Sequence, residues 1–179
     1  TFFGQNRDAN ILNRNKIKDI SKIDFDLCFT SQSKRSYETG LLYVNKKDII
    51  KNKYLNEINY GKAEGLNYSK LKKKYPNIIY DWSKKLDPLF PGGENTEQVK
   101  KRLFYFINNH LKKLRYSRNN NILIITHNVV LKCLLGKYFN IKKILWYKIN
   151  ISFLNAFEFY FYKNELRLNC DRKIINRIL

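Results

Sequence analysis

Ile122–Leu123–Ile124–Ile125–Thr126–His127–Asn128, running straight into the apolar stretch Val129–Phe139, decides the fold. Ile122 to Thr126 is a continuous apolar, β-branched run, the pattern of a strand buried on both faces. Val129 to Phe139 is predicted to be the helix that follows. A buried strand that ends in a histidine delivers that histidine to the carboxyl edge of a sheet, where ligands of open α/β proteins bind. The next helix aims its unpaired N–H groups and the positive end of its dipole at the same spot, a combination that attracts phosphate. A histidine that merely caps the helix fits these residues equally well.

The same join occurs earlier. Phe25 to Thr30 is predicted to be a short strand, and Ser33 to Lys51 a helix ending in lysines before Asn52. Arg35 falls in the first turn of that helix, where a cation opposes the dipole. A bound anion explains the placement, because a guanidinium fork holds two phosphate oxygens at once; the plain alternative is a surface arginine. Between the two joins lies Leu55–Asn56–Glu57–Ile58–Asn59–Tyr60–Gly61–Lys62–Ala63–Glu64–Gly65, within a predicted loop over Tyr54–Gly65. A carboxylate beside a phosphate has its pKa raised by like charge and becomes a general acid. Two solvated loop acids are the alternative. Pro91–Gly92–Gly93–Glu94–Asn95 is predicted to be a turn whose acid suits the N-terminus of the helix after it.

The remaining elements fill in an α/β order. The first twenty-odd residues are polar and irregular. Tyr68–Tyr75 is predicted to be a short helix stopped by Pro76, and Tyr68, Tyr75, Tyr80 and Trp82 either line a rim or pack a lid. Val99, Leu103, Ile107, Leu111 and Leu114 share one face of a helix over Thr96–Leu114, capped by Asn95 or Thr96. Asn119–Asn120–Asn121 is a turn, and Phe153–Tyr162 with Glu165–Asn169 reads as a hairpin closed at Lys163–Asn164. Strands alternate with helices before an antiparallel pair, which predicts an α/β sandwich with a mixed, mostly parallel sheet in one domain over 1–179.

Composition narrows the classes. The 179 residues are 44% hydrophobic and 28% charged, which excludes wholesale disorder, a collagen-like repeat and a disulfide scaffold. No apolar run is long enough to span a bilayer and no secretory leader is evident, so a cytoplasmic protein without a membrane partner is expected. The net charge is +20, from 35 Lys+Arg against 15 Asp+Glu. Lys, Asn, Ile and Tyr are residues of AT-rich codons, and the lysines are spread along the chain instead of clustering with stacking aromatics. Codon bias therefore accounts for the charge better than nucleic-acid binding does, although a positive field still draws anionic substrates. Lys72–Lys73–Lys74 is a solvated helix face. Cys28, Cys133 and Cys170 form no CxxC, and with only His110 and His127 present no metal site and no cofactor are expected. The cysteines are expected to be buried free thiols.

Taken in order, TSQSKRSYET (with Ser31 and Arg35), LNEINYGKAEG, PGGENTEQVKKR and ILIITHNVVLKCLL closely resemble the motifs of the histidine phosphatase superfamily, the phosphoglycerate-mutase-like enzymes. The similarity covers residues 21–139, and LNEI with THNVVLKCLL resembles the phosphatase branch that includes fructose-2,6-bisphosphatases. The resemblance implies a three-layer sandwich and phosphoryl transfer through a phosphohistidine without a metal. Arg35 would clamp the phosphoryl oxygens, His127 would donate to them, Asn128 would add its N–H, and Glu57 would protonate the leaving group and then activate water.

The family's Arg-His-Gly, which carries the nucleophile, is absent from this sequence. His110 lies mid-helix and is read as structural. The chain starts at Thr1 and holds no methionine, so the first strand is expected upstream, with Thr1 in the Thr/Ser position that commonly follows the motif. The short Gly65–Gly93 stretch favours hydrolysis of a small phosphorylated metabolite over mutase chemistry. The alternatives are a catalytically inactive, phosphate-binding pseudophosphatase, a mutase-type phosphotransferase, or an RNA-binding protein. A homodimer is left open. The 179-residue chain alone is expected not to turn over.

Overall fold

Three short parallel strands carry the two strand-to-helix joins. The computed structural model describes residues 1–6, 9, 23–114, 121–142, 146, 149–152, 155–163 and 165–169. The elements are β1 (Leu27–Thr30), α1 (Lys34–Gly40), β2 (Ile49–Lys51), α2 (Tyr68–Lys74), α3 (Pro76–Ser83), α4 (Thr96–Phe106), α5 (Lys112–Leu114), β3 (Ile122–Ile125), α6 (Asn128–Tyr138), β4 (Glu158–Tyr162) and β5 (Glu165–Asn169). The strand order is β2-β1-β3, with Cys28 of β1 level with Ile49 and Leu123. This register sets Thr30 level with Ile125, so Ser31 and His127 leave the sheet at nearly the same height.

Alternation along β1 sorts the layers. Cys28 and Thr30 face α1, where a Cβ on Gly40 would lie 3.1 Å from Thr30 Cγ2 and 3.4 Å from Cys28 Sγ. Phe29 points the other way and meets Phe106 of α4 edge-on, with ring centroids 5.2 Å apart. The second face holds the main core, including Leu55, Leu71, Val99, Leu103, Ile107, Leu111, Val130, Cys133 and Leu135. The result is the expected α/β sandwich of helix, sheet and helix. The helical stripe Val99–Leu103–Ile107–Leu111 is buried as its spacing predicts, with Leu114 partly buried. Asn95 caps α4 in a reciprocal box with Gln98.

The structure corrects several expectations. The helix expected over Ser33–Lys51 ends at Gly40, and the chain turns through Lys46–Asp48 into β2. Gly40, the last helical residue, packs close on β1, and long-range pairing with β1 makes Ile49–Lys51 a strand. Pro76 stops α2 but also opens α3, since the first helical position needs no N–H. The long helix contains a π-turn over Ile107–Leu111. Ile122–Ile125 is not buried on both faces: Ile124 is 37% exposed, and among the described residues no strand pairs with the outer edge of β3. Hence the expected mixed sheet is found as two, the parallel trio and the separate antiparallel pair β4–β5. The turn at Asn119–Asn120, the hairpin start at Phe153, Asn164 and Cys170 lie outside the described residues.

Residues at the very start of the chain pack on the fold. Phe2 exchanges backbone hydrogen bonds with Leu66 (2.9 Å) and Gly65 (2.8 Å), and its ring joins Tyr60, Trp82 and Phe90. Trp82 and Tyr75 thus pack, while Tyr68 and Tyr80 are exposed. Lys72–Lys74 are exposed as expected. Cys28 and Cys133 are buried free thiols, and burial pushes Cys28 up to about 12, leaving it unreactive. Among the described residues no helix is long and apolar enough to cross a membrane.

One close approach gives a stability test. A Cβ on Gly136 of α6 would lie 2.2 Å from Nε1 of the buried Trp146, whose N–H donates to Ile141 O (3.0 Å). Gly136→Ala is expected to destabilise the fold by about 1–3 kcal/mol, the cost of overpacking. A urea titration followed by tryptophan fluorescence reads this, and an unchanged midpoint would show that Trp146 yields freely.

Candidate functional site

His127 occupies the N-cap position of α6, but its side chain makes no capping hydrogen bond. It turns instead toward the end of β1. Its Nε2 lies 2.7 Å from Ser31 Oγ and 3.5 Å from Ser33 Oγ, and its Nδ1 lies 3.4 Å from an Arg35 Nη2. His127 thus stands at the cap position without capping through its side chain. Arg35 also donates to Gly4 O (3.3 Å), and its guanidinium carbon sits 4.9 Å from the centre of the Phe3 ring.

Serines lock the two joins together. Ser36 Oγ donates to Ile125 O (2.9 Å) and accepts from Ser31 N–H (3.1 Å). Ser33 caps α1 by accepting from Ser36 N–H. These bonds fix α1, β1 and β3 at the height where Arg35 and His127 meet.

Glu57 is 8% exposed. One carboxylate oxygen accepts from Ile58 N–H (2.9 Å) and the other from Val129 N–H (3.4 Å), so the N-terminus of α6 faces it. Burial raises the Glu57 pKa above the usual carboxylate range; the two N–H donors, Arg35 and Arg102 oppose this without reversing it. Glu57 also acts on Lys132, whose pKa is lowered by burial and drawn back up by the Glu57 charge. Of the two carboxylates in the loop, Glu57 is the one that lies beside the start of α6. Glu64 serves differently, accepting from Gly4 N–H (2.6 Å) and so tying the first residues to the site.

Asn128 directs its side chain away, donating to Ile151 O (3.3 Å). Only its place at the start of α6 remains as a link to the site. The structure thus brings Arg35, His127 and Glu57 together and keeps the Asn128 side chain apart. His110 lies elsewhere, stacked on Phe106 with centroids 5.5 Å apart, in line with its structural reading.

Several residues escaped the sequence reading. Arg102 of α4 holds both oxygens of Glu94 (2.9 and 3.2 Å) and donates to Tyr54 O (2.7 Å) and Glu57 O (3.1 Å). Gln5 adds a second donor to Glu57 O (2.7 Å). The Glu57 loop and the Pro91–Glu94 turn are also joined backbone to backbone, by Lys62 N–H to Pro91 O (2.9 Å) and Glu94 N–H to Asn59 O (2.8 Å). Gly61 and Gly93 allow this approach, because a Cβ on either would strike the facing backbone at 2.2 or 2.3 Å. A recess of about 320 Å³ opens beside this clamp, lined in part by Gln5, Gln32, Lys53, Asn56 and Arg102. Among the described residues no cluster of His, Cys, Asp and Glu could hold a metal ion.

A guanidinium, an imidazole and a buried carboxyl thus meet at the carboxyl edge of a parallel sheet in an α/β protein. The chain belongs to the histidine phosphatase superfamily (branch 1), whose sequence pattern matches residues 14–170. It is 32% identical over 117 residues to the 2,3-bisphosphoglycerate-dependent phosphoglycerate mutase of Cytophaga hutchinsonii, covering 62% of this chain and 54% of that protein. It is 31% identical over 114 residues to the fructose-2,6-bisphosphatase of Saccharomyces cerevisiae, covering 63% of this chain and 24% of that protein. The chain thus spans about half, or less, of these curated relatives. The alpha-ribazole phosphatase of Shigella flexneri shares the fold, with a TM-score of 0.66 and 20% identity over 86% of this chain and 74% of that one.

Proposed function

We propose that this chain is the phosphate-binding and acid-base part of a phosphatase that hydrolyses a small phosphate monoester through a phosphohistidine. The carrying observation is Glu57, a buried carboxyl whose pKa is raised by its burial, in the same site as Arg35 and His127. Arg35 clamps the transferring phosphoryl group and His127 adds a hydrogen bond to it, stabilising the charge of a loose transition state. The nucleophilic histidine lies on a strand upstream of Thr1 in this reading. Its nitrogen attacks phosphorus, the bond to the leaving oxygen breaks, and Glu57 gives its proton to that oxygen. Glu57 then takes a proton from water, whose oxygen displaces the histidine and releases phosphate.

Two features support an upstream strand. The outer edge of β3 has no partner among the described residues, and a strand added there parallel to β3 would end beside Thr126–His127. Thr1–Gln5 already crosses the site through Gly4 and Gln5. Hydrolysis is preferred to mutase chemistry because the Gly65–Gly93 stretch, which holds two short helices, is anchored through Trp82 to Phe2 and Phe90. A lid spent on packing leaves the site open to water.

The test compares the 179-residue chain with a protein extended through its upstream coding region, using p-nitrophenyl phosphate for turnover and vanadate for binding. The extended protein is expected to turn over and the chain alone to bind without turnover. Arg35→Ala is expected to weaken vanadate binding about 100-fold, since hydrogen bonds to charged groups contribute about 1.5–3 kcal/mol each. Turnover by the chain alone that vanishes in His127→Ala would make His127 the nucleophile and overturn this account. A second reading, a non-catalytic phosphate-binding domain, is favoured by one observation: His110 is stacked on Phe106, leaving His127 as the site's own histidine. Vanadate binding without turnover in the extended protein would establish it.

A further inference from the structure

We infer that Ser31 is a positioning residue which, together with Arg35, pins His127 as the tautomer protonated at Nε2 and leaves Nδ1 as the nitrogen that meets a bound phosphate. This rests on the phosphate-binding reading of the site. A guanidinium only donates and stays charged, so the Arg35 Nη2 that faces Nδ1 at 3.4 Å requires a lone pair there. The proton of a neutral imidazole then resides on Nε2. Ser31 Oγ lies 2.7 Å from Nε2 and accepts that N–H.

The rest of the chain of hydroxyls runs the same way. Ser31 Oγ lies 2.9 Å from Ser33 Oγ and passes its own proton on to it. It accepts in addition from Ser33 N–H at 3.2 Å. Ser31 is fully buried at the end of the central strand, and its backbone is held by Ser36 Oγ and Ile125 O. A fixed oxygen therefore anchors one edge of the ring, and the opposite edge faces the phosphate-clamping arginine. When phosphate draws the Arg35 N–H onto itself, Nδ1 is released to take a proton and donate to the same anion, while Nε2–H stays on Ser31.

Nitrogen-15 NMR of the labelled chain tests this directly, because the protein has two histidines and His110 serves as an internal control. Above the imidazole titration, His127 is expected to show a protonated, pyrrole-type Nε2 and a bare, pyridine-type Nδ1. The reverse pattern would overturn the inference without any variant being made. In Ser31→Ala the two ring signals are expected to converge as the tautomers mix, with inorganic phosphate bound about five- to tenfold more weakly, the worth of one hydrogen bond. Unchanged His110 signals verify that the variant folds; a His127 pattern equally unchanged would remove Ser31 from this role. The expected pattern in a chain that fails to bind phosphate would overturn the functional proposal while sustaining the tautomer.

Discussion

Glu57→Gln is expected to make this protein more stable at neutral and alkaline pH and, in a turnover-competent form, to make it nearly inactive. The Glu57 pKa is raised by burial, so the native state binds the carboxyl proton more tightly than the unfolded chain does. Below the ordinary carboxylate range both states are protonated and the side chain costs nothing. Above that range the unfolded chain ionises freely while the folded protein keeps its proton, so stability falls with pH until the native value is passed. Glutamine imitates the protonated acid and does not ionise. The difference in melting temperature between variant and wild type is therefore expected to be near zero in acid, to widen with pH, and then to level off. A difference independent of pH, or one favouring the wild type in alkali, would mean that the N–H groups of Ile58 and Val129 hold Glu57 as the carboxylate. Turnover of the extended protein is expected to fall about 10²–10⁴-fold, the usual contribution of a positioned acid-base group. A site that spends stability on a poised carboxyl is where such a trade is expected.

The parts of the site that sequence exposed are those with short-range signatures. A strand that changes into a helix within a few residues is visible at Thr30–Arg35 and at Ile125–Val129, and it placed Arg35 and His127 at one sheet edge. The glycine-bearing loop offered two acids, and only the resemblance of LNEI to the family motif favoured Glu57. What stayed hidden depended on contacts distant in sequence. β2 is three residues of a lysine-rich stretch whose helical pattern is overridden by pairing with β1. Arg102 reads as one more cation on a basic helix face, and only its meeting with Glu94, Tyr54 and Glu57 reveals its use. A faint signal existed, since Glu94 and Arg102 are eight residues apart and flank the start of α4. Ser31 was visible as the first residue of the Ser-x-x-x-Arg motif, but its contact with His127, 96 residues away, was not. Gln5 and Gly4 belong to a segment that looked irregular because a single extended stretch beside Gly65–Leu66 has no period to detect.

Arg102→Met is expected to cost about 3–5 kcal/mol of folding stability, the range for removing one partner of a largely buried ion pair. The side chains of Arg102 and Glu94 are 13% and 20% exposed, and the guanidinium spans a carboxylate and two carbonyls at once. Loss of the fork leaves the Glu94 carboxylate with Asn59 N–H (2.9 Å) and Gln5 (3.2 Å), and it strips a donor from Tyr54 O and one of two from Glu57 O. Arg102→Lys keeps the charge but cannot reach Glu94 and both carbonyls together, so it is expected to fall between wild type and Arg102→Met. The local consequence separates this clamp from an ordinary stabilising pair. Arg102 is one of the groups that restrain the Glu57 pKa, so its removal is expected to raise that pKa further and to shift the pH dependence of stability toward the behaviour of a carboxyl ionising at higher pH. Hydrogen exchange should show the loosening concentrated at Ile58–Gly61, whose amides depend on the joined loops. A uniform loss of protection across the chain, with the Glu57 titration unmoved, would reduce Arg102 to a stabiliser of α4 and detach it from the site.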